Sequence, residues 1–339
     1  MSGWSQAILG CSGLRVTREE RALYRDVRPW AFILFGRNVQ SADQVRGLCE
    51  ELRETIDDPD ALVFIDQEGG RVQRLRPPLA RQRKPAQAFG MLFQKDPEAG
   101  REAVRLNHRL IAHELRPLGV TADCAPCLDL ILPQTTAAIG DRAFSNAAAA
   151  VAALGRAAAE GLTQGGVAPV IKHMPGHGRA TVDSHLALPV VRADLDDLDA
   201  HDFAPFRAMH DQPMGMTAHL VFEAIDPQAP ATFSPAVIQE LIRDSIGFDG
   251  LLMTDDLSMK ALKGGFADRT RRALDAGCDV VLHCNGDMAE MKAVASELSE
   301  LEGRCLERAQ AARKAAGEPQ PFDAAEAEAT LAGWGLAGE

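Results

Sequence analysis

A closed (β/α)8 barrel forming a single domain is the fold class this chain predicts, and three observations carry the expectation. Eight short apolar runs alternate with amphipathic stretches along the chain, the rhythm of a parallel sheet whose crossovers are helices. The runs are apolar on both faces, as strands covered by helices on one side and a packed interior on the other must be. Ionisable residues gather just after the C-terminal ends of those runs, which is where a barrel of this type carries its chemistry.

The expected strands are 6–9, 31–35, 61–65, 120–122, 169–172, 214–217, 250–254 and 278–282. Helical patterns fill the gaps at 17–26, 42–55, 97–118, 146–164, 197–210, 235–245, 268–277 and 287–301. Several open on residues that cap free backbone N–H groups: Ser41 ahead of Asp43, the pair Ser145-Asn146, and Ser234 with Pro235 at the first helical position. An open doubly wound sheet is the competing architecture, but no G-x-G-x-x-G follows the first strand. Residues 1–339 are read as one barrel domain, its core about 4–303. The Ala- and Glu-rich tail, 304–339, broken at Pro319-Gln320-Pro321, is expected to add one or two closing helices.

Composition narrows the function. With 46% apolar residues in 339, a large core is possible, and a net charge of -12 argues against a general nucleic-acid binder. No run of eighteen apolar residues occurs, and Met1-Ser2-Gly3-Trp4-Ser5-Gln6 lacks the basic start of a secretory leader, so no membrane partner is expected. The seven cysteines, an odd number set largely in apolar runs, suggest reduced thiols in a cytoplasmic protein. Cys124-Ala125-Pro126-Cys127 has redox or zinc spacing, but it continues a strand and lacks a second pair. A monomer acting on a small-molecule substrate is expected, with no cofactor and no resident metal.

The strand ends supply the chemistry. Strand three runs into Asp66-Gln67-Glu68-Gly69-Gly70-Arg71-Val72-Gln73-Arg74, and strand four leads through Asp129 to Asp141-Arg142. Strand five ends at Lys172-His173, strand six at His219, strand seven at Asp255-Asp256 and strand eight at His283-Cys284-Asn285. Side chains alternate along a strand, so one of Asp255 and Asp256 faces the barrel axis; a helix cap is the competing role for Asp256. A carboxylate at this rim can attack an anomeric carbon. Asp183 and His185, two apart and on one side of an extended chain, can form a proton-transfer pair. Ligation of a metal by His173, His177 and His185 is the alternative, although the spacing fits no helical ligand pattern and Lys172 adds a positive charge beside it. The basic segment from Arg71 to Lys84 has a second reading as a solvated, proline-broken loop.

Taken together, these motifs resemble a known family. Lys172-His173-Met174-Pro175-Gly176-His177-Gly178 followed by Asp183-Ser184-His185, with the Asp66 to Arg74 run, Gly140-Asp141-Arg142-Ala143-Phe144 and Thr254-Asp255-Asp256-Leu257-Ser258-Met259, resembles the β-N-acetylglucosaminidases of glycoside hydrolase family 3. The likeness is greatest to the short cytoplasmic enzymes of Gram-negative peptidoglycan recycling. It implies a retaining hydrolase that removes terminal β-linked GlcNAc from fragments such as GlcNAc-1,6-anhydro-MurNAc. It also implies Asp255 as nucleophile, His185 as acid/base and Asp183 as its partner, with Asp66, Arg74, Arg142, Lys172 and His173 contacting the sugar. Met174 stands where the family has an aromatic and Ala143 where it has serine, changes that bear on fine substrate preference. The acid/base loop is expected to draw mobility from Gly176, Gly178 and residues 179–182, with His177 shaping it. A phosphorylase, a silent sugar-binding barrel and a metallohydrolase are the competing functions.

Overall fold

The computed structural model describes residues 3–339, and it is a barrel. Eight staves follow one another: β1 (Ser5–Gly10), β2 (Pro29–Ile33), β3 (Leu62–Ile65), β4 (Ala122–Asp123), β5 (Ala168–Pro169, continued after Val170 by Ile171–Met174), β6 (Met214–Thr217), β7 (Leu251–Asp256) and β8 (Val280–His283). All neighbours are parallel, and β1 pairs with both β2 and β8. Closure falls on β5. Its first half pairs with β4, its second half pairs with β6, and the backbone of Lys172 is still bonded to the chain leaving β4 through Pro126 and Leu128.

Alternation along the staves separates two cores. Inward side chains, among them Ile8, Ile33, Phe64, Val170, Met216, Met253 and Leu282, fill the barrel. Outward ones pack beneath the helices in a larger cluster. The helix Gly303–Lys314 brings Leu306, Ala309 and Ala312 against the interior cluster, and its Arg313 bonds Asp58 at 2.6 Å while covering the Trp4 ring. This helix is therefore a floor under the N-terminal end of the barrel. The last helix, Ala324–Gly333, lies on the long helix Pro97–Leu115. None of the helices described is long and apolar enough to cross a membrane.

Most expected elements form within a few residues of their predicted bounds, and the differences have local causes. The helix expected over 197–210 is two short ones, Leu195–Ala200 and Ala204–Ala208, parted where Asp202 turns inward to take Arg179 at 2.6 Å. Ser41 caps Ala42–Thr55 as expected, and Ser234 accepts from Val237 N–H. Ser145 does not cap the next helix: Ala147 is its N-cap residue, and Ser145 Oγ takes only the Ala147 N–H. The helix Ala86–Lys95 was not anticipated. Arg83, expected in a solvated loop, is buried between Glu114 and Glu328, 2.7 Å from the latter. All seven cysteines are unpaired, and six are buried.

Candidate active site

The inward alternation continues past the apolar interior and becomes polar at the C-terminal rim. Phe64 is followed on the same face by Asp66, Val170 by Lys172, Met253 by Asp255 and Leu282 by Cys284, and all four polar successors line one cavity of about 330 Å³. Its walls also take Phe35, Arg74, Arg142, His173, Asp183 and His185. Every residue expected to act in the site is therefore brought together. The cavity falls within the size range of small-molecule sites.

Loop geometry sets each group. Gly69 and Gly70 adopt positive φ of 90° and 56°, which turns the chain after β3 into a small hairpin and returns Arg74 to Asp66. A Cβ on Gly69 would lie 2.7 Å from the Lys84 carbonyl, so the turn is also a close approach. Arg74 Nη2 donates to Asp66 Oδ2 at 2.9 Å, and Lys172 Nζ donates to Asp66 Oδ1 at 2.9 Å and Glu68 Oε1 at 2.6 Å. Arg142 grips Glu68 with two bonds of 2.7 and 2.8 Å. Burial alone would raise Asp66 and Glu68. The surrounding cations outweigh it, holding Asp66 well below the usual carboxylate range and Glu68 at about 2. Lys172 is buried too, yet its two carboxylates keep it firmly protonated.

A second network hangs on Asp129, which is buried. Its Oδ2 accepts His173 Nδ1 at 2.6 Å and the Cys127 thiol at 3.2 Å, while Oδ1 takes the backbone N–H of His177 at 2.7 Å. The carboxylate dictates that His173 carries its hydrogen on Nδ1, which leaves Nε2 toward the cavity and 3.5 Å from Arg142. Glu68 and Asp129, which the sequence places at strand ends without assigning them a role, organise the two networks. Each stands beside a predicted site residue, but its role appears only once the partner strand is in place.

Asp255 faces inward, as alternation requires; Asp256 also borders the cavity, but its carboxylate is taken up by neighbouring backbone and hydroxyl groups. Asp256 accepts the N–H groups of Ser258 at 3.0 Å and Cys284 at 3.2 Å, together with the Ser258 hydroxyl, and so ties the loop after β7 to the end of β8. Asp255 Oδ1 accepts the Asp256 N–H at 2.8 Å. Burial would raise its pKa, but His219, His173 and that N–H prevail, and the carboxyl lies below its ordinary value. His219, behind it, donates through Nε2 to the Asp256 carbonyl at 3.1 Å and faces Thr232 through Nδ1.

Asp183 and His185 do pair, through a different conformation from the extended one expected. The chain turns: Asp183 Oδ1 accepts both the backbone N–H and Nδ1 of His185 at 2.8 Å, and the Asp183 carbonyl accepts from Leu186. Burial opposes ionisation of Asp183, but these bonds outweigh it and lower its pKa. The segment before the pair also differs from expectation. Residues 176–178 are buried, and a Cβ on Gly178 would lie 2.4 Å from the Leu130 carbonyl, so this glycine serves close approach rather than mobility. The histidines do not converge on a metal, because His173, His177 and His185 bond to Asp129, Ser184 and Asp183 respectively. Among the described residues the one close-set group is Cys127, Asp129 and His173, already linked by their own hydrogen bonds.

A barrel closed at one end, with a rim of paired carboxylates and cations around an inward aspartate and an Asp-His couple, has the equipment of a glycosidase. The chain belongs to glycosyl hydrolase family 3, whose N-terminal-domain model matches residues 7–315. It is a β-N-acetylhexosaminidase. Among curated relatives, the beta-hexosaminidase of Thioalkalivibrio sulfidiphilus is 42% identical over 283 residues, covering 82% of this chain and 80% of the relative. That of Thiobacillus denitrificans is 39% identical over 282 residues, covering 82% and 77%. The crystal structure of native NagZ from Neisseria gonorrhoeae superposes with a TM-score of 0.84 at 31% identity, over 99% of this chain and 95% of the other.

Proposed function

We propose that the chain is a retaining exo-β-N-acetylglucosaminidase that releases terminal GlcNAc from peptidoglycan fragments such as GlcNAc-1,6-anhydro-MurNAc in cytoplasmic cell-wall recycling. The observation that carries this reading is the placement of an ionised, inward Asp255 in the same cavity as the Asp183–His185 couple. In the first step the Asp255 carboxylate attacks C1 of the sugar. The C1–O bond breaks, and the leaving oxygen takes a proton from His185 Nε2. In the second step the ring removes a proton from water, whose oxygen displaces the aspartyl ester and restores β configuration. Asp183 fixes the imidazole with its hydrogen on Nδ1 and compensates the charge on the ring.

Asp66, Arg74, Arg142, Lys172 and His173 would hold the sugar, with Asp66 accepting from hydroxyls while the cations keep it ionised. A GlcNAc ring in this cavity is supported by the Neisseria gonorrhoeae relative, whose structure was solved with N-trifluoroacetyl-D-glucosamine. Buried, unpaired cysteines agree with a reducing compartment. Arg74, Lys172 and Arg142 each bond Asp66 or Glu68, three cations to two carboxylates, so hydrolysis and phosphorolysis are told apart by whether the product in phosphate buffer is the free sugar or its 1-phosphate.

Turnover of a 5-fluoro N-acetylglucosaminyl fluoride should leave a trapped ester on the peptide carrying Asp255, read by mass spectrometry. A label on Asp256, or no label during inhibition, would remove Asp255 from the role. His185→Ala is expected to slow hydrolysis of an alkyl N-acetylglucosaminide by roughly 10² to 10⁴-fold, the range of general acid catalysis. A 2,4-dinitrophenyl glycoside, whose leaving group needs no proton, should lose far less in the glycosylation step. Equal losses would exclude His185 as the acid.

A further inference from the structure

We propose that His177 and Ser184 form a latch that holds the acid/base loop on the barrel rim, which makes both of them positioning residues for proton transfer. The inference rests on the reading of His185 as the acid/base.

Ser184 lies between Asp183 and His185 but in the opposite environment. The His185 side chain is 65% exposed and that of Asp183 33%, whereas Ser184 is 4% exposed. The turn that presents the two reacting neighbours to the cavity therefore drives the residue between them into the protein. There Ser184 Oγ lies 3.1 Å from His177 Nε2, and the Ser184 carbonyl accepts the Ala261 N–H at 3.2 Å. Among the described residues, these are the only hydrogen bonds that leave segment 181–188; the others within it join Asp183 to His185, Leu186 and Ala187. Val182 and Leu186, on either side, are exposed. Ser184 is thus the tether of an otherwise unattached loop. Its carbonyl bond reaches the loop that follows Asp255, and its side-chain bond reaches the end of β5.

His177 is suited to be the fixed half. It is buried, its backbone N–H is held by Asp129, and its carbonyl accepts the Ala180 N–H at 3.0 Å. Its Nδ1 has no hydrogen-bond partner among the described residues. An orphaned acceptor costs less than an orphaned N–H, so the hydrogen sits on Nε2 and is donated to Ser184 Oγ. Burial, only partly opposed by Asp129, lowers the imidazole pKa to about 4, so the ring stays neutral across the working range. Asp129 thereby supports both halves of the site: directly through His173 beside the sugar, and indirectly through His177 and Ser184 at the proton donor.

Ser184→Ala removes one oxygen and tests the latch. With an alkyl N-acetylglucosaminide, kcat/KM should fall about tenfold, the loss expected from one hydrogen bond. With the 2,4-dinitrophenyl glycoside the fall should be under about twofold, which also serves as a check on folding. In a His185→Ala background the same substitution should change alkyl-glycoside hydrolysis by less than about twofold, since no acid remains to be misplaced. Equal losses on the two substrates, a full additional loss in the double variant, or no loss on the alkyl substrate would each overturn the latch. If instead His185→Ala alone fails to discriminate between leaving groups, the acid/base assignment itself falls, and the two failures are told apart.

Discussion

Replacing Asp255 with alanine is expected to lower kcat/KM for a 4-nitrophenyl N-acetylglucosaminide by at least about 10⁴-fold, with thermal stability close to that of the parent. The size follows from the proposed role: without a carboxylate at C1, no covalent route would remain, and water would have to attack unaided. The stability expectation follows from the surroundings. Asp255 is an inward, ionised group whose protein partner is a neighbouring backbone N–H, so removing it relieves desolvation as well as losing a bond. Asp256 is the internal comparison. It anchors Ser258 and Cys284, and Asp256→Asn should disturb folding before chemistry. Residual activity above about one per cent in purified Asp255→Ala would contradict the nucleophile role.

Lys172→Met is expected to be the most destabilising single change at the rim, by about 3 to 5 kcal/mol at pH 7 in urea unfolding. Among the described residues the lysine is the one cation that touches both Asp66 and Glu68, and its loss strands two buried carboxylates with one arginine each. The sign of the pH dependence should change as well. In the parent both carboxyl groups titrate below their unfolded values. Their contribution is therefore complete above the ordinary carboxylate range and is lost only as pH falls from about 4 toward the folded value of about 2 for Glu68, and lower for Asp66. In the variant, burial and mutual repulsion raise both, so acidification from pH 7 to 5 should narrow the gap between variant and parent. A gap independent of pH would mean that the lysine acts by packing alone.

How much of this was legible in the chain depends on how far each interaction reaches. Strand order and the inward placement of Asp66, Lys172 and Asp255 follow from a period of two and a barrel's preference for chemistry at one rim, both local rules. The turn at Asp183 is not legible locally, because an extended chain and an Asx turn place residues two apart in similar relation; only the bond from Asp183 to the His185 N–H distinguishes them. Glu68 and Asp129 stand at strand ends that are visibly polar in the sequence, but their roles are not legible there because their partners, Arg142 and His173, lie 74 and 44 residues away. Arg83 looked like solvated charge for the same reason, its Glu328 partner being 245 residues distant. The helix Ala86–Lys95 was hidden by the prolines and basic residues before it, which dominate that stretch when read alone.

The floor helix Gly303–Lys314 has a consequence for traffic. With Leu306, Ala309 and Ala312 stopping the lower end and Phe64, Met253 and Leu282 packed above them, the barrel is a blind well. Whatever enters must leave by the mouth it came through. On the proposed mechanism a sugar seated at Asp255 would be first in and last out: the departing half of the substrate would clear the opening, water would follow it down, and only then could the sugar rise. A molecule that lodges across the mouth would therefore block both products at once, without touching Asp255.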